Sequence, residues 1–304
     1  MSIVAVGTIG LDTIETPFGR AEEALGGSAA YFALAASFYS EVGIVSVVGE
    51  DFPGEHSELL QSRGIDLGSV QRLPGQTFRW GGRYDYDLNT RDTLFTHLNV
   101  LTEFRPQLPA AQRAAPFVFL ANIDPTLQLA VLDQAERPRL TMLDTMNFWI
   151  ESDRDGLTEA LRRVDAVVIN EEELREYVGE PSTLKAARAI RALGPRIVIV
   201  KRGEYGAVLF ADERYFYVPA YPLEEVRDPT GAGDSFAGGF MGYLARTGNL
   251  SPANVRRALV HGSVVASFTV EQFGVQSLVD LSLPQIEARF QEFRLLTHFD
   301  EGDD

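Results

Sequence analysis

Apolar residues in this chain fall into short unbroken runs, separated by longer stretches in which they recur at helical spacing. The runs SIVAVG (2–7), VGIVSVVG (42–49), FVFLAN (117–122), RLTMLDT (139–145), DAVVIN (165–170) and RIVIVK (196–201) are apolar at successive positions, as strands buried on both faces are. Between them GGSAAYFALAASFYS (26–40) and PGEHSELLQSRGI (53–65) read as helices, as do segments near 125–136, 155–163, 171–178 and 182–192. Further helices are predicted near 233–247, 252–268 and 283–296. This alternation predicts an α/β fold, a doubly wound, mostly parallel sheet flanked by helices, with right-handed crossovers. One region departs from it. QTFRWGGRYDYDLNTRDTLFTHLNVL (76–101) alternates bulky and polar residues around Gly81-Gly82 and DLNTRD, which predicts two or three antiparallel strands with tight turns. LDTIETPFGR (11–20) is a strand or hairpin placed to join them. Together these form a small antiparallel β lid, a flap beside a site or an oligomer contact. No repeat, low-complexity tract or change in composition divides the chain, so 1–304 reads as a single domain.

Charge narrows the partners. The formal net charge is -16 and the pI about 4.7, which argues against nucleic acid held on a basic surface. Anions can bind such a chain only where backbone amides, a few local cations or Mg²⁺ overcome the global field. With no cysteine there is neither a disulfide nor a thiolate metal site. MSIVAVG (1–7) lacks a basic leader and reads as a first strand, not a signal peptide. No apolar run reaches the roughly 20 residues of a membrane span. The expectation is a cytoplasmic protein with no membrane contact, ending in a solvated acidic tail, FDEGDD (299–304).

In open α/β sheets ligands bind beyond the carboxyl ends of the strands. The polar residues there are Asp12, with Gly26 and Gly27 opening a helix at the same level, then NEEE (170–173), KRGEYG (201–206) and GAGD (231–234). A glycine-rich turn into a helix leaves amides unpaired at the positive end of the helix dipole, a place suited to phosphate. Asp234, directly after that cradle, would repel phosphate. Either it takes a proton from a hydroxyl attacking the phosphate, or it caps the helix. Asn170 and Glu173 either hold water around Mg²⁺ or cap a polar first turn. The KRGEYG turn contacts a nucleotide or is a plain hairpin. Asp12 accepts substrate hydroxyls or sits in a turn. His261 reads as a packing residue, and Trp80 and Trp149 as core or flap aromatics, ahead of ligand contacts. The chain has no GxxxxGK[ST] loop, no GxGxxG after its first strand (VGTIGLD), and four histidines too scattered for a zinc site.

Taken together these residues resemble the ribokinase-like (PfkB) carbohydrate kinases. DPTGAGDSFAGGFM (228–241) satisfies that family's C-terminal signature at each constrained position. GGSAAYFALAA and VGEDFPG (48–54) match its N-terminal region, NEEE its Asn-x-x-Glu and KRGEYG its Gly-x-x-Gly turn, over roughly residues 2–280. The resemblance implies transfer of the γ-phosphoryl of ATP to a hydroxymethyl group of a sugar or sugar-like alcohol, or else of a nucleoside or cyclitol. It implies Asp234 as base, the amides of Gly231, Ala232 and Gly233 as anion hole, and Asn170 and Glu173 ordering the water of Mg²⁺. Lys201, Gly203 and Gly206 would lie near the phosphates, and His261 and Gly274 around the adenine. Asp12, Gly26 and Gly27 would face the acceptor. Asp228 and Thr230 lie where some members bind a monovalent cation such as K⁺. The lid would close over substrate, and in the family it often pairs with another subunit as a homodimer. Departures fall in the acceptor region: Tyr31 replaces an asparagine of ribokinases and Ser28 a lysine. The usual Asp-x-Asn-x-Arg appears as DTMNFW, with no arginine and a shifted Asn147. A protein that binds sugar and nucleotide as a sensor, without catalysis, is the alternative outside enzymes.

Overall fold

The computed structural model describes residues 2–211 and 214–298; the acidic tail predicted at 299–304 lies outside the described residues. The strands are β1 (Ile3–Val6), β2 (Gly10–Thr16), β3 (Gly19–Gly26), β4 (Val42–Gly49), β5 (Asp66–Leu73), β6 (Phe78–Tyr84) and β7 (Arg91–His97). After these come β8 (Phe117–Leu120), β9 (Leu140–Asp144), β10 (Ala166–Asn170), β11 (Ile197–Lys201), β12 (Ala207–Ala211) and β13 (Arg214–Val218). Among the described residues, nine of them form one sheet in the order β13-β12-β11-β10-β9-β8-β1-β4-β5. All neighbours from β5 to β11 are parallel. The apolar runs account for this. Ile3 and Ala5 pack into the core on one face, Val4 and Val6 into the core on the other.

One face is covered by the helices Ser28–Ser37, Ala232–Thr247 and Pro252–Thr269. The other is covered by Pro125–Leu132, Arg154–Arg163, Glu171–Val178 and Thr183–Leu193. No helix of the described residues is long and apolar enough to cross a membrane.

Three features differ from the sequence expectation. β5, DLGSVQRL, is an edge strand with a half-exposed polar face, so it carries no apolar run to announce it. β12 and β13 extend the parallel sheet as an antiparallel hairpin. The small sheet, in the order β3-β2-β6-β7, is made of two antiparallel hairpins whose inner strands β2 and β6 pair in parallel. Alternation within a segment reveals a strand but not its partner.

From β1 the chain passes to β4 on one side and later returns to β8 on the other, so the strand order reverses beside β1. A crevice opens at such a reversal, at the carboxyl ends of the strands.

Candidate active site

The helix Ala232–Thr247 begins in this crevice. Its N-cap is Gly231 in the left-handed region, φ 74°, with no side chain to cap the end. A β-carbon on Gly231 would stand 2.3 Å from the ring of Tyr31, so both dihedral and space demand glycine. The Ala232 amide donates to Pro229 O at 3.3 Å and the Ser235 amide to Gly231 O at 2.8 Å. Those of Gly233 and Asp234 have no acceptor among the described residues. The amides left without an acceptor at this helix start are thus those of Gly233 and Asp234, where the expectation named Gly231, Ala232 and Gly233. Asp234, third in the helix, makes no capping bond.

Lys201, at the end of β11, lies against this turn: a β-carbon on Gly233 would be 2.9 Å from its Nζ. The ammonium pairs with Asp144 at the end of β9, at 3.0 Å from Oδ2 and 3.3 Å from Oδ1. Burial alone would lower the lysine, but Asp144, Glu173 and Asp234 outweigh it and hold the group above its ordinary range. Asp234 is pushed up to about 8, chiefly by burial and then by the charge of Asp144, with Lys201 opposing. Asp144 opens the DTMNFW segment but was given no role of its own from sequence. The available signal was an acid closing the apolar run RLTMLDT, at the same edge as Asn170 and Lys201.

Asn170 and Glu173 form a reciprocal cap. Asn170 Oδ1 accepts from the Glu173 amide at 2.7 Å, and Glu173 Oε2 accepts from the Asn170 amide at 3.1 Å. Glu173 is nevertheless pushed up to about 7, by burial first, with Lys201 opposing and Asp144 adding to it. Among the described residues no three His, Cys, Asp or Glu side chains converge as a metal cage.

Asp12, expected to face an acceptor, lies on β2. Gly26 approaches it so closely that a β-carbon there would lie 1.9 Å from Oδ2, and the Gly27 amide supports the carboxylate. Burial, with a further push from Asp228, still raises Asp12 to about 7. Ser28 is not exposed to the crevice. Its amide donates to Thr8 Oγ1 at 3.0 Å, and its hydroxyl donates to Asn122 O at 3.1 Å. Asn122 Oδ1 in turn accepts from Trp149 Nε1 at 3.0 Å, and Phe148 packs edge-on against Trp149. A half-buried tryptophan is thereby hung beside the helix start that carries Gly26 and Gly27.

Asp228 is fully buried. Its oxygens accept from the amides of Thr230 and Gly274, each at 2.8 Å, and Thr230 Oγ1 donates to Tyr84 OH of β6 at 3.1 Å. These side chains tie three segments together. The turn Gly203–Tyr205 meets the small sheet too, where Asn89 Nδ2 donates to Glu204 Oε1 at 3.0 Å. Trp80, on β6, lies under Arg91.

His261 is not brought to the crevice. Its ring is stacked between Tyr243 and Phe290, with centroids at 4.0 and 4.3 Å, and Nδ1 lies 3.1 Å from Tyr39 OH. Both faces are covered, so the adenine contact expected of it is corrected to core packing. Gly274 serves through its amide on Asp228.

The model of the pfkB family carbohydrate kinases matches residues 13–281. A cytidine kinase of Thermococcus kodakarensis is 32% identical over 252 residues, covering 81% of this chain and 89% of that protein. A nucleoside kinase of Methanothermobacter thermautotrophicus is 29% identical over 284 residues, 86% and 83% of the two chains. The crystal structure of aminoimidazole riboside kinase from Salmonella enterica, complexed with aminoimidazole riboside and an ATP analog, shares the fold. Its TM-score is 0.74 at 20% identity, over 95% of this chain and 100% of that one.

Proposed function

The chain belongs to the pfkB family of carbohydrate kinases, and from that premise we propose that it is an ATP-dependent kinase acting on the hydroxymethyl group of a nucleoside. One observation carries the reading: an uncapped helix end whose free amides, with Lys201 against them, adjoin the unbonded carboxylate of Asp234. Asp234 takes the proton of the acceptor hydroxyl as its oxygen bonds to the γ-phosphorus. The bond from that phosphorus to the β-γ bridging oxygen breaks, and ADP leaves with the electron pair. The amides of Gly233 and Asp234 and the Lys201 ammonium hold the charge of the transferred group. The raised proton affinity of Asp234 suits a group that must capture a proton near neutral pH.

Mg²⁺ supplies charge neutralisation of the phosphates, and the donor set fits an ion held mainly by phosphate and water. Glu173 and Asn170 would order that water, since no protein cage is present among the described residues and carboxylates outnumber the single lysine. Asp228 and Thr230 act as a clasp through their side chains, so a monovalent cation there would rest on carbonyl oxygens. The small sheet is the lid: Tyr84 and Asn89 reach across to Thr230 and Glu204, and closure would exclude water. Its strand β7, exposed along most of its length, is where a second subunit would pair.

A nucleoside is favoured over a free sugar because Trp149, tied through Asn122 to Ser28 next to Gly27, offers an aromatic ring near the acceptor end, a partner suited to a base. Two of the relatives matched over most of the chain are a cytidine kinase and a nucleoside kinase. The test is ADP release with Mg²⁺-ATP against a panel of nucleosides, pentoses, hexoses and inositols, with Asp234→Asn alongside. Turnover of a nucleoside that the variant abolishes is the expected result. Turnover confined to free sugars would favour the sugar-kinase reading, and binding without any turnover would favour a sensor.

A further inference from the structure

Asp51, in the segment VGEDFPG (48–54), takes no part in the chemistry of the crevice. It follows β4 at the carboxyl edge of the large sheet, and its carboxylate is where the small sheet is tied down. Oδ1 accepts from both the amide and the hydroxyl of Thr77, each at 2.7 Å, and Oδ2 accepts from Arg79 at 3.0 Å. Thr77 is fully buried, one residue before β6 begins. Its hydroxyl oxygen accepts in turn from the Gly49 amide at 3.0 Å, and its carbonyl from Asn99 Nδ2 at 2.9 Å, shortly after β7 ends. Both ends of the hairpin β6–β7 thus meet at one node.

The other hairpin is reached through Arg79, whose guanidinium also pairs with Glu23 of β3. That pair sits at a bulge: Asp12 lies opposite Ala24 and Ile14 opposite Ala21, which leaves Glu22 and Glu23 facing Thr13 alone. Glu23 holds φ 50°, a left-handed backbone that residues with a β-carbon rarely adopt. The two arms of Arg79 are unequal. The Glu23 side chain is 62% exposed, so that ion pair is worth little by itself. The side chains of Arg79 and Asp51 are only 25% and 27% exposed, and a charge-assisted bond backed by the buried Thr77 is the stronger. At its far end the small sheet is held by single bonds, Thr230 to Tyr84 and Asn89 to Glu204.

We propose that Asp51 is a positioning residue for phosphoryl transfer: through Thr77 and Arg79 it seats both hairpins of the small sheet over the crevice, so that the acceptor hydroxyl and not water reaches the γ-phosphorus. The inference rests on the kinase reading with the small sheet as lid, and adds the residue that sets the lid's seat. A loosely seated lid admits water. The water oxygen then bonds to the γ-phosphorus and its proton passes to Asp234. The bond to the bridging oxygen breaks, and ADP leaves with the electron pair, beside inorganic phosphate.

The experiment compares the full-length wild type with Asp51→Asn, Arg79→Gln and the double variant. Asparagine keeps an oxygen for Thr77 but turns an amide donor toward Arg79, so it breaks the bridge and spares the node. ADP and phosphorylated acceptor are both quantified, with the acceptor turned over best in the panel. In either single variant the KM for the acceptor should rise about fivefold, the effect of one partly exposed charge-assisted bond. ADP released without acceptor should rise several-fold, and the ratio of ADP to phosphorylated acceptor should exceed that of the wild type. The KM for ATP, whose phosphates the Gly231 turn and Lys201 hold, should stay as it was. Because the two residues share one bridge, the double variant should be no worse than the worse single. An acceptor KM and an ADP ratio equal to those of the wild type in both single variants would overturn the proposal. So would equal rises in both KM values at an unchanged ratio, which would mark Asp51 as structural. Hydrogen exchange of the substrate-free proteins gives a readout apart from activity: amides of β6 and β7 should exchange faster in Asp51→Asn, while those of β8 to β11 keep their rates. Exchange in β6 and β7 equal to the wild type, or raised alike in every strand, would also overturn it. Failure of the kinase reading is seen separately, as a wild type that phosphorylates no acceptor in the panel, and the exchange result does not depend on it.

Discussion

Two helices start at the carboxyl edge of the large sheet with an acid in their third position, and they are built in opposite ways. At Glu171–Val178 the N-cap is Asn170, whose side chain closes the Glu173 amide while the Glu173 carboxylate returns to the Asn170 amide. At Ala232–Thr247 the N-cap is Gly231, which has no side chain, and Asp234 folds back on nothing. One end is satisfied within the chain. The other is left open toward the crevice, with Lys201 beside it. An acid at this position is thus structural or available according to the residue three places before it. Leaving the end open costs stability that capping would have supplied, as expected where charge must be bound.

The comparison is broken most severely at Asp234. Asp234→Asn should lose roughly 10² to 10⁴ in kcat, the span of general-base catalysis, while ATP still binds. A loss below tenfold would sink the assignment. The same variant should be more stable than the wild type, and increasingly so as pH rises from about 4 to about 8. In that window the unfolded chain has released a proton that folded Asp234, raised to about 8, retains, so the aspartate lowers stability as pH climbs. Thermal melts at pH 4 and pH 8 check the sign.

A second test sharpens the role of the neighbours. Because the base must be deprotonated, kcat/KM should rise with pH and level off above about 8. Asp144→Asn removes the charge that, after burial, most raises Asp234 and frees Lys201 to face it, so the rising limb should move to lower pH. A limb that stays in place would assign it to another group.

Glu173→Gln probes the closed end for a second duty. Glutamine preserves the reciprocal cap, so the melting temperature should change little. The Mg²⁺ concentration needed for half-maximal rate should rise several-fold, a modest effect for a group acting through water. Unchanged magnesium dependence would reduce Glu173 to capping. The smallest effect belongs to Asn170→Ala, expected to cost about 1 kcal/mol by denaturant titration.

Much of this was readable in advance where it depended on neighbours in sequence. The central parallel strands announce themselves because burial on both faces demands unbroken apolar runs. Gly231 to Asp234 announces an uncapped helix start because the amides there are local and glycine has no side chain to cap them. His261 misled because its position fits a pocket as well as a core; only the stack of Tyr243 and Phe290 around it decides. Burial, seconded by Arg257 and Arg246, pushes that histidine down to about 3, a neutral ring among aromatics. Asp144 received no role from the sequence because its partner Lys201 lies on a strand far along the chain.

By itself the sequence determined the strand–helix alternation, the glycine-rich turn into a helix and the acid that follows it, since each rests on periodicity or on backbone geometry within a few residues. Tertiary structure alone decided which acid is left free, which lysine faces it, and how the strands of the small sheet pair. Those are properties of distance and burial between segments far apart in the chain, and a linear pattern carries no term for them.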